Sequence, residues 1–313
     1  MDLIRYATLA ASGHNSQPWT FRVEASCVLL LPDLGRRTPV VDPDDHHLFV
    51  SLGCAAENWL LASAARGRPG LVAFHPAGAG SLQLTPGGGP PPPGGLFEAI
   101  PFRQSTRAVY DGRPVSAEHL KALAEAATLP GIDLVLITQR SRIDSVRDLV
   151  LAGNSVQLSD RAFLVELKRW LRFSPRQALE TGDGLFAGAS GNPAVPAWIG
   201  PHLFDLVFRA ATENDKYANQ IRSSAGIAVF VSQKDDREHW VQAGRACQRF
   251  ALKATALGLK LAFLNQPVEV ADLRPELSAL LGMPGRRPDL VMRFGYGPEL
   301  PFSARRPVSA VLG

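Results

Sequence analysis

Two segments of the chain share one pattern of apolar and polar positions. Asp44–Gly67 and Asp235–Gly258 each begin with acidic residues, continue with an apolar stripe at three- and four-residue spacing, and end on glycine. This pattern predicts two amphipathic helices, because acids cap helix starts and glycine ends helices. At a shift of 191 residues the segments align without a gap, and eight of 24 positions are identical. We interpret them as an internal duplication; the alternative is a chance likeness of two Ala- and Leu-rich helices.

Apolar runs flank both predicted helices. Cys27–Leu31 and Ile227–Val231 come before them, and Leu71–Phe74 and Leu259–Leu264 come after them. Short apolar runs of this kind are typical of buried strands. The sequence therefore predicts an α+β fold with two tandem strand–helix–strand halves. We expect the halves to pack back to back as a pseudo-dimer whose central sheets are wrapped by helices.

The remaining periodic segments belong to the region after the first repeat. Ala117–Ala127 is predicted as a helix opened by Ser116, and Leu134–Thr138 as a buried strand because of its β-branched residues. Ile143–Phe173 has helical periodicity, with a break predicted near Gly153–Asn154.

The clearest boundary is the Gly/Pro run at residues 86–95, a composition that suits neither helix nor sheet. It predicts a linker between a shortened first half, residues 1–85, and a longer second half, residues 96–313. Within the second half, Ser174–Pro201 carries five glycines and four prolines. Such a long loop inside a compact domain is commonly functional, and we predict a lid. A plain surface excursion is the alternative.

Composition narrows the class of protein. With 46% apolar and 20% charged residues, the 313-residue chain is predicted to fold as a soluble protein. Its 33 basic residues exceed its 29 acidic ones by four and form no basic block, so we expect no nucleic-acid partner. The N-terminal residues do not resemble a signal peptide, and no apolar run approaches 18 residues. We therefore predict a cytoplasmic protein with no membrane partner.

Several familiar sites have no support in the sequence. Three cysteines without C-x-x-C spacing argue against a zinc site or a disulfide framework. No Walker A motif occurs, and no G-x-G-x-x-G motif follows a strand, so a Rossmann site is not expected. A group at the first repeat helix has the composition of a metal site: Asp42, Asp44, Asp45, His46 and His47. The second repeat has Arg237 and Glu238 in place of the histidines, so we predict caps and no metal.

Two segments carry groups that could bind a ligand. The first is Ala11–Phe21, in which a turn of small residues and a Pro-Trp pair lead into a strand. The second is Arg103–Arg107, in which two arginines flank Ser105. Guanidinium groups, a hydroxyl and free N–H groups suit a phosphate, and we expect this segment to lie at the start of a helix.

Three motifs together resemble one family. They are S-x-x-N-x-Q-P-W at Ser12–Trp19, R-x-S-x-R at Arg103–Arg107, and a tail formed by Arg293–Pro298 and Ser303–Val308. With the duplicated helix, this combination resembles the FMN-dependent nitroreductase superfamily, and most of all its single-chain twin-domain (Acg-type) branch. The resemblance covers nearly the whole chain and is weakest across Ser174–Asn219.

The order of the motifs adds to this resemblance. In the superfamily each flavin lies between two subunits, and a subunit normally carries R-x-S-x-R before S-x-x-N-x-Q-P-W. Here the first half has S-x-x-N-x-Q-P-W without a preceding R-x-S-x-R, and the second half has R-x-S-x-R without the other motif. The resemblance therefore implies one complete site between the halves and a functional monomer.

The resemblance also implies which residues bind FMN: Ser12, His14, Asn15 and Gln17 from the first half, and Arg103, Ser105, Arg107, Asn265, Gln266, Arg305 and Arg306 from the second. The R-x-S-x-R residues would bind the phosphate and the pyrimidine edge, and the terminal arginine pair would close on the phosphate. The Asn265–Gln266 backbone would face flavin N5. A solvated pair is the alternative for the two terminal arginines, and absence of contact is the alternative for His14.

The implied function is that of an FMN-binding oxidoreductase. Hydride would pass between the flavin and a small-molecule substrate such as a nitro compound, a quinone or a biosynthetic intermediate. The flavin carries this chemistry, so no catalytic side chain is expected. NAD(P)H would act as a transient electron donor by stacking on the flavin. The alternative is a non-catalytic protein that stores or sequesters FMN beneath the lid.

Overall fold

The computed structural model describes residues 1–92, 94–191, 194–196, 198, 200, 204 and 209–313. Its helices are α1 (Asp2–Ala7), α2 (His46–Ala65), α3 (Ala117–Ala127), α4 (Arg140–Ser159), α5 (Arg161–Trp170), α6 (Pro175–Thr181), α7 (Ala210–Arg222), α8 (Arg237–Ala256), α9 (Gln266–Glu269) and α10 (Arg274–Leu280). Its strands are β1 (Trp19–Val23), β2 (Val28–Pro32), β3 (Leu71–His75), β4 (Ser81–Thr85), β5 (Ile132–Ile137), β6 (Leu171–Arg172), β7 (Leu185–Phe186), β8 (Gly226–Ser232), β9 (Lys260–Phe263) and β10 (Pro288–Gly295).

Two four-stranded sheets share one topology. The first has the order β1-β2-β4-β3 and the second has the order β5-β8-β10-β9, with antiparallel neighbours throughout. In each sheet one repeat helix connects the second strand to the far edge strand: α2 joins β2 to β3, and α8 joins β8 to β9. The predicted α+β class is confirmed. The second half is longer because α4 to α7 lie between β5 and β8, where the first half has a short turn.

The repeat helices begin and end at equivalent residues. α2 and α8 are each 20 residues long, and their bounds differ by the same 191 positions as the sequence alignment. Two of the predicted acidic caps are present: Asp42 accepts from the amides of His47 and Leu48 at 2.9 and 3.0 Å, and Asp236 accepts from His239 at 2.9 Å. These carboxylates satisfy helix N–H groups that have no intrahelical partner. Asp45, at the N-cap position of α2, makes no cap hydrogen bond with its side chain and pairs with Arg37 instead.

α2 and α8 lie side by side and parallel, with their backbones in contact at two glycines. A Cβ on Gly53 would lie 2.0 Å from Val241 O, and a Cβ on Gly244 would lie 1.9 Å from Val50 O. Val50 and Val241 are equivalent in the repeat, as are the two glycines. The contact is therefore reciprocal, as between two copies of one helix related by a twofold axis. No side chain fits at either position, which explains why both copies have glycine.

One hydrophobic core serves both halves. It includes Trp19 and Phe21 of the first sheet together with Phe230 and Phe294 of the second. Phe250 of α8 packs edge-on against the two second-sheet phenylalanines, at ring-centroid distances of 5.8 and 5.7 Å. Because aromatic side chains contribute large buried areas, this shared core fixes the two sheets around the helix pair.

α2 is the central helix of this core. Among the described residues it is the one helix long and apolar enough to cross a membrane by length and composition, yet 89% of its apolar window is buried inside the protein. Packing against α1, α8 and the first sheet accounts for that burial. The cytoplasmic location stays a prediction.

The helical region before the predicted lid differs from expectation. The break that the sequence placed near Gly153–Asn154 occurs at Asp160, whose carboxylate accepts from Ala162 N at 2.8 Å and starts α5. Gly153 stays inside α4 and allows close packing, since a Cβ there would lie 2.9 Å from Gln266 Cβ. The prediction was wrong because a helical glycine can serve a close approach rather than a helix end. α3 has the predicted bounds, with the Ser116 side chain as its cap.

The predicted linker and lid are described in part. Position 93 of the linker lies outside the described residues, as do positions 192, 193, 197, 199 and 201 of the lid. Beyond the linker, Leu96 and Ile100 pack with Leu61 of α2 and its repeat counterpart Leu252 of α8. The division of the chain at residues 86–95 stays a prediction.

Candidate functional site

A cavity of about 460 Å³ lies where the two halves meet. Its wall combines the loop that precedes β1, one face of α2, the R-x-S-x-R segment, the start of α9 and the C-terminal tail. Nine of the eleven residues that the sequence implied line it: Ser12, His14, Asn15, Arg103, Ser105, Arg107, Asn265, Gln266 and Arg305. Both motif segments therefore face one space.

The loop that precedes β1, residues 12–18, has a strained backbone. His14, Asn15 and Gln17 have φ values of 50°, 52° and 52°. Residues other than glycine adopt this left-handed region rarely and at a cost in energy. Ser12 Oγ accepts from the Gln17 amide at 3.0 Å and closes the turn. Strain that is held by specific contacts is typical of a binding site.

Gln17 and Arg306 lie outside the cavity wall and bind each other. Gln17 Oε1 accepts from the Arg306 amide at 2.9 Å, and the Arg306 guanidinium donates to Gln17 O at 3.3 Å. The guanidinium also lies 3.8 Å from Asp33. This pair connects the C-terminal tail to the strained loop. The two side chains therefore support the cavity wall and are not positioned to contact a ligand.

The Arg103–Arg107 segment is extended, which corrects the expectation that it begins a helix; the next α-helix begins at Ala117. Ser105 forms an isolated bridge with Leu261 of β9, and Thr106 N donates to Leu261 O at 2.7 Å. The segment thus pairs with the edge of the second sheet. Sequence alone did not reveal this, because an extended edge contact between distant residues has no local periodicity.

Arg293 is a fully buried arginine behind this segment. Its guanidinium donates to the carbonyls of Thr106, Ala108 and Gln220 at 3.1, 2.8 and 3.1 Å, and lies 4.0 Å from the Tyr110 ring centroid. It therefore fixes the backbone that carries the R-x-S-x-R side chains. The sequence marked Arg293 as part of the tail motif but gave no sign of this contact.

Three arginines in the wall have N–H groups without an acceptor. Nε and Nη1 of Arg103, Nε of Arg107 and Nε of Arg305 are buried and have no hydrogen-bond partner among the described residues. Arg103 is 5% exposed. Burying a charged N–H group without an acceptor is unfavourable, so these groups suit an anionic ligand.

The arginines also shift the pKa values of their neighbours. Burial, followed by the charge of Arg103, lowers the pKa of Arg305 to about 9. Burial, followed by the charges of Arg107 and His47, lowers the pKa of His14 to about 4. His14 is consequently neutral at pH 7. Arg103, Arg107 and Arg305 thus form a cluster of basic side chains in one part of the wall.

Glu269 also lines the cavity wall, and the sequence did not predict it as a site residue. Glu269 accepts from Gln157 Nε2 at 2.6 Å and lies 3.9 Å from His47 Nδ1. Burial is the main cause that raises the pKa of Glu269 and of Tyr217, which also lines the cavity. The sequence could have indicated Glu269, because it follows the predicted site residue Gln266 by about one helical turn. Tyr217 lies in the part of the chain where the family resemblance is weakest.

The acids and histidines at the start of α2 come together in space. Asp42, His46 and His47 place one potential ligand atom each within 4.8 Å of one another. Both Asp42 oxygens cap α2, and His46 Nε2 lies 2.9 Å from Asp289 Oδ1. The predicted capping role is confirmed for Asp42.

Part of the predicted lid lies on the strained loop. Asn15 Nδ2 donates to Gly184 O at 3.0 Å, and Gln17 Nε2 donates to Gly182 O at 2.8 Å. Between these contacts, Asp183 forms an ion pair with Arg36 of the first half. The segment is therefore attached to the first half through backbone and side-chain contacts at one edge of the cavity.

Comparison with known proteins gives matches over most of the chain. The family model described as "Nitroreductase family" matches residues 100–297. An NAD(P)H nitroreductase of Mycobacterium tuberculosis, Rv3131, is 28% identical over 323 aligned positions, covering 99% of this chain and 90% of the relative. The NAD(P)H nitroreductase acg of the same organism is 24% identical, covering 98% and 93%.

Solved structures match about two thirds of the chain. The FMN-dependent nitroreductase NfnB from Mycobacterium smegmatis, in complex with NADPH, has a TM-score of 0.44 at 14% identity and covers 68% of this chain and 94% of its own. A nitroreductase from Bacteroides fragilis with bound FMN has a TM-score of 0.42 at 15% identity and covers 69% and 95%. The family model spans well over half of the chain and confirms the resemblance inferred from the motifs. The chain belongs to the nitroreductase family.

Proposed function

We propose that the chain is an FMN-binding oxidoreductase in which hydride passes between the flavin and a small substrate such as a nitro compound, a quinone or a biosynthetic intermediate. The observation that carries this proposal is the cavity between the halves. Three arginines with buried, unpartnered nitrogens line it within the described part of the chain, next to the strained loop. Family membership and the two motifs that meet there support the same function.

The residues of the cavity fit FMN in two respects. FMN ends in a phosphate dianion, and the open N–H groups of Arg103, Arg107 and Arg305 offer it charge-assisted hydrogen bonds. FMN also carries a flat aromatic ring system. Apolar side chains of Phe163 and Leu167 form part of the same wall and would cover such a ring.

Each group of residues has a proposed role. Arg103, Ser105, Arg107 and Arg305 would bind the phosphate and the pyrimidine edge of the flavin. Ser12, His14 and Asn15 would contact the flavin from the first half, and the Asn265–Gln266 backbone would lie near its N5. Gln17 and Arg306 would hold the loop and the tail in place. FMN supplies the hydride chemistry when bound, and a cation near its N1 stabilises the reduced anion.

NAD(P)H is the proposed electron donor. The two mycobacterial relatives, which align with almost the entire chain, carry the name NAD(P)H nitroreductase. No G-x-G-x-x-G motif is present in the sequence, so a nicotinamide would stack on the flavin inside the cavity rather than bind a Rossmann domain. The donor and the substrate would then use the cavity in turn.

A non-catalytic role is the second candidate. The contacts of Gly182, Asp183 and Gly184 with the first half favour a closed segment at the cavity edge. A protein that stores FMN would need such a cover over the flavin, whereas an oxidoreductase must open it in each cycle.

Two measurements test these functions. The purified protein should be yellow, and chromatography of the heat-released chromophore should identify FMN rather than FAD. A colourless protein that fails to take up FMN would contradict both candidates. Addition of NADH or NADPH then separates them: an oxidoreductase bleaches the flavin absorbance and consumes the donor when a quinone or nitroaromatic is supplied. A stable yellow protein that consumes no donor would establish the storage role instead.

A further inference from the structure

Glu269 brings a carboxyl group to the cavity, close to the segment proposed to face flavin N5. It is the last residue of α9, which begins at Gln266, and its side chain lines the cavity. The side chain is 19% exposed, so the carboxyl group is enclosed but still reaches open space. A substrate next to the Asn265–Gln266 backbone would therefore lie about one helical turn from this carboxyl group.

Two neighbours determine which atoms can hold a proton at this place. Gln157 Nε2 donates to Glu269 Oε2 at 2.6 Å, so the proton of a neutral carboxyl group is held on Oε1. Oε1 lies 3.9 Å from His47 Nδ1, beyond direct hydrogen-bond distance. His47 Nε2 donates to Asp289 O at 3.3 Å, because a carbonyl oxygen can only accept. In the neutral imidazole, Nδ1 is therefore the basic nitrogen, on the side of Glu269.

The surroundings of Glu269 favour the neutral acid. Burial is the largest cause that raises its pKa, and the charge of Asp42 acts in the same direction. The charge of His47, the hydrogen bond from Gln157 and the charge of Arg107 act in the opposite direction and do not cancel the rise. A carboxyl group that is kept protonated by its environment can serve as a general acid.

We propose that Glu269 is the proton donor for the substrate of the oxidoreductase, acting through Oε1, and that His47 Nδ1 supplies the replacement proton. This inference rests on the proposed function and adds a catalytic side chain where the sequence led us to expect none. Gln157 would be a positioning residue, because it fixes Oε2 as the acceptor.

The step balances for a quinone. The quinone gains a hydride from the reduced flavin and the carboxyl proton from Glu269, so that a hydroquinone and an oxidised flavin form. The O–H bond of Glu269 breaks, an O–H bond forms on the substrate, and a carboxylate remains. His47 takes up a proton from solvent and passes it to that carboxylate, with one water bridging the 3.9 Å gap.

Two kinds of electron acceptor isolate the proton transfer. A quinone needs a proton when it is reduced, whereas ferricyanide takes up electrons alone. Glu269→Gln removes the acidic proton and retains an oxygen that can accept from Gln157. Glu213→Gln is the matched control, since Glu213 is a glutamate on α7 that lines the same cavity but does not follow the Asn265–Gln266 segment.

The first experiment follows reoxidation of the flavin. FMN-loaded protein is reduced with stoichiometric dithionite without oxygen and is mixed with benzoquinone or ferricyanide in a stopped-flow instrument. Glu269→Gln should slow the reaction with benzoquinone about 100-fold, which is typical for loss of a general acid, and leave the reaction with ferricyanide unchanged. The wild type should also react more slowly with benzoquinone as the pH rises and Glu269 loses its proton. Glu269→Gln should lose that pH dependence, and Glu213→Gln should retain it.

Infrared spectroscopy of the flavin-free protein gives a readout that does not depend on activity. A protonated carboxyl group has a C=O band distinct from that of a carboxylate. The difference between the wild type and Glu269→Gln should contain one such band that persists to higher pH than the bands of ordinary glutamates. Taking the difference removes the band of Asp289, because burial raises the pKa of that residue to about 7 in both proteins.

The outcomes separate this inference from the proposed function. A protein that binds no FMN, or whose bound flavin is not reoxidised by either acceptor, contradicts the function and the proton donor together. A wild type that reacts with both acceptors keeps the function. In that case equal benzoquinone rates for the wild type and Glu269→Gln overturn the proton donor alone. Equal losses with both acceptors also overturn it, because Glu269 would then be a structural residue, as does the absence of the infrared band.

Discussion

Arg103 and Arg305 place two like charges in the wall of one cavity. Burial, which is the larger cause, and the charge of Arg103 together lower the pKa of Arg305 to about 9. The Nε atoms of both groups have no acceptor among the described residues. The Nη atoms of Arg305 donate to backbone carbonyls, but the two like charges still destabilise each other, and a bound dianion reverses the sign of their contribution. This pair is thus arranged for a ligand rather than for the stability of the empty protein.

Replacing Arg103 by methionine should therefore weaken FMN binding and stabilise the flavin-free protein. FMN affinity should fall by about 2–5 kcal/mol, because the phosphate loses a charged partner. The flavin-free protein should gain about 1 kcal/mol in the free energy of unfolding, because an unpaired buried charge is removed. Flavin fluorescence titration measures the first and urea denaturation the second.

Arg22 provides the control for this substitution. Its side chain is 54% exposed and pairs with Glu24 on the surface. Arg22→Met should leave FMN affinity and stability nearly unchanged. If Arg103→Met lowers the stability of the flavin-free protein along with its FMN affinity, then Arg103 is a structural residue, and the assignment to the phosphate fails.

His14 should make the flavin-free protein sensitive to acid. Its pKa is about 4 in the fold and 6.5 in the unfolded chain, so the unfolded state binds more protons between these values. The free energy of unfolding should fall by up to about 3 kcal/mol as the pH decreases from 6.5 to 4. His14→Asn removes this dependence, and asparagine tolerates the positive φ at this position.

Thermal unfolding at several pH values between 4 and 7 tests the His14 prediction. His75→Asn is the control, since His75 is exposed on β3. The variant at position 14 should show a flatter decline of the melting temperature towards acid than the wild type and the His75 variant. Parallel curves for all three proteins would show that His14 is solvated and is not the acid-sensitive group.

The sequence predicted local features better than long-range ones. The bounds of α2, α8 and α3 follow from periodicity, acids and a serine cap, all of which act within a few residues. The contact of Asn15 with Gly184 joins positions 169 apart in the sequence, and no pattern announces it. Gly153 was wrongly predicted to break a helix, because its role is set by Gln266 on another helix. From composition alone, a glycine that allows close approach to a distant element cannot be distinguished from a glycine that ends a helix.

The same difference between local and long-range features holds for the candidate site. The motif residues could be placed in one cavity from the family resemblance, since a motif retains its position in the fold. Glu269 and its proximity to His47 were not predicted, because their meeting depends on how α2 and α9 pack. Likewise, the extended course of Arg103–Arg107 depends on pairing with β9. The chemistry of a segment was therefore predictable, whereas its backbone conformation was not.

Glu57 should be essential to the contact between the halves. It is fully buried on α2, and its two oxygens accept from Arg245 and Arg249 of α8 at 2.9 and 2.5 Å. Glu57→Gln leaves two enclosed cations without their counter-ion, so the free energy of unfolding should fall by about 3–5 kcal/mol. Glu125→Gln is the control, because Glu125 pairs with Lys121 on the surface and should cost at most about 0.5 kcal/mol. Similar urea midpoints for the two variants would contradict the prediction.

Asp183 should hold the predicted lid against the first half. It accepts from Arg172 at 2.5 Å and pairs with Arg36 across the cavity edge. Asp183→Asn removes the charge from both contacts, so dithionite should reduce bound flavin several-fold faster because access to the ring limits that step. Glu180→Gln is the matched control, since this exposed carboxylate lies in the same segment and pairs only locally with Arg176. Equal stopped-flow rates for the wild type and both variants would identify Ser174–Pro201 as a surface excursion.

The chain should bind a single flavin. Both sheets share one strand order, and α2 and α8 meet through a reciprocal glycine contact; these observations support the expectation that the chain contains the interface that two subunits would otherwise form. R-x-S-x-R occurs in the second half and S-x-x-N-x-Q-P-W in the first, and both line the same cavity. A symmetry-related site would lack both motifs. We therefore expect a monomer that binds one FMN, to be measured by light scattering together with the ratio of flavin to protein absorbance. Two flavins per chain would show that the second site is intact, and a dimer whose flavin lies between two chains would refute the single-chain pseudo-dimer.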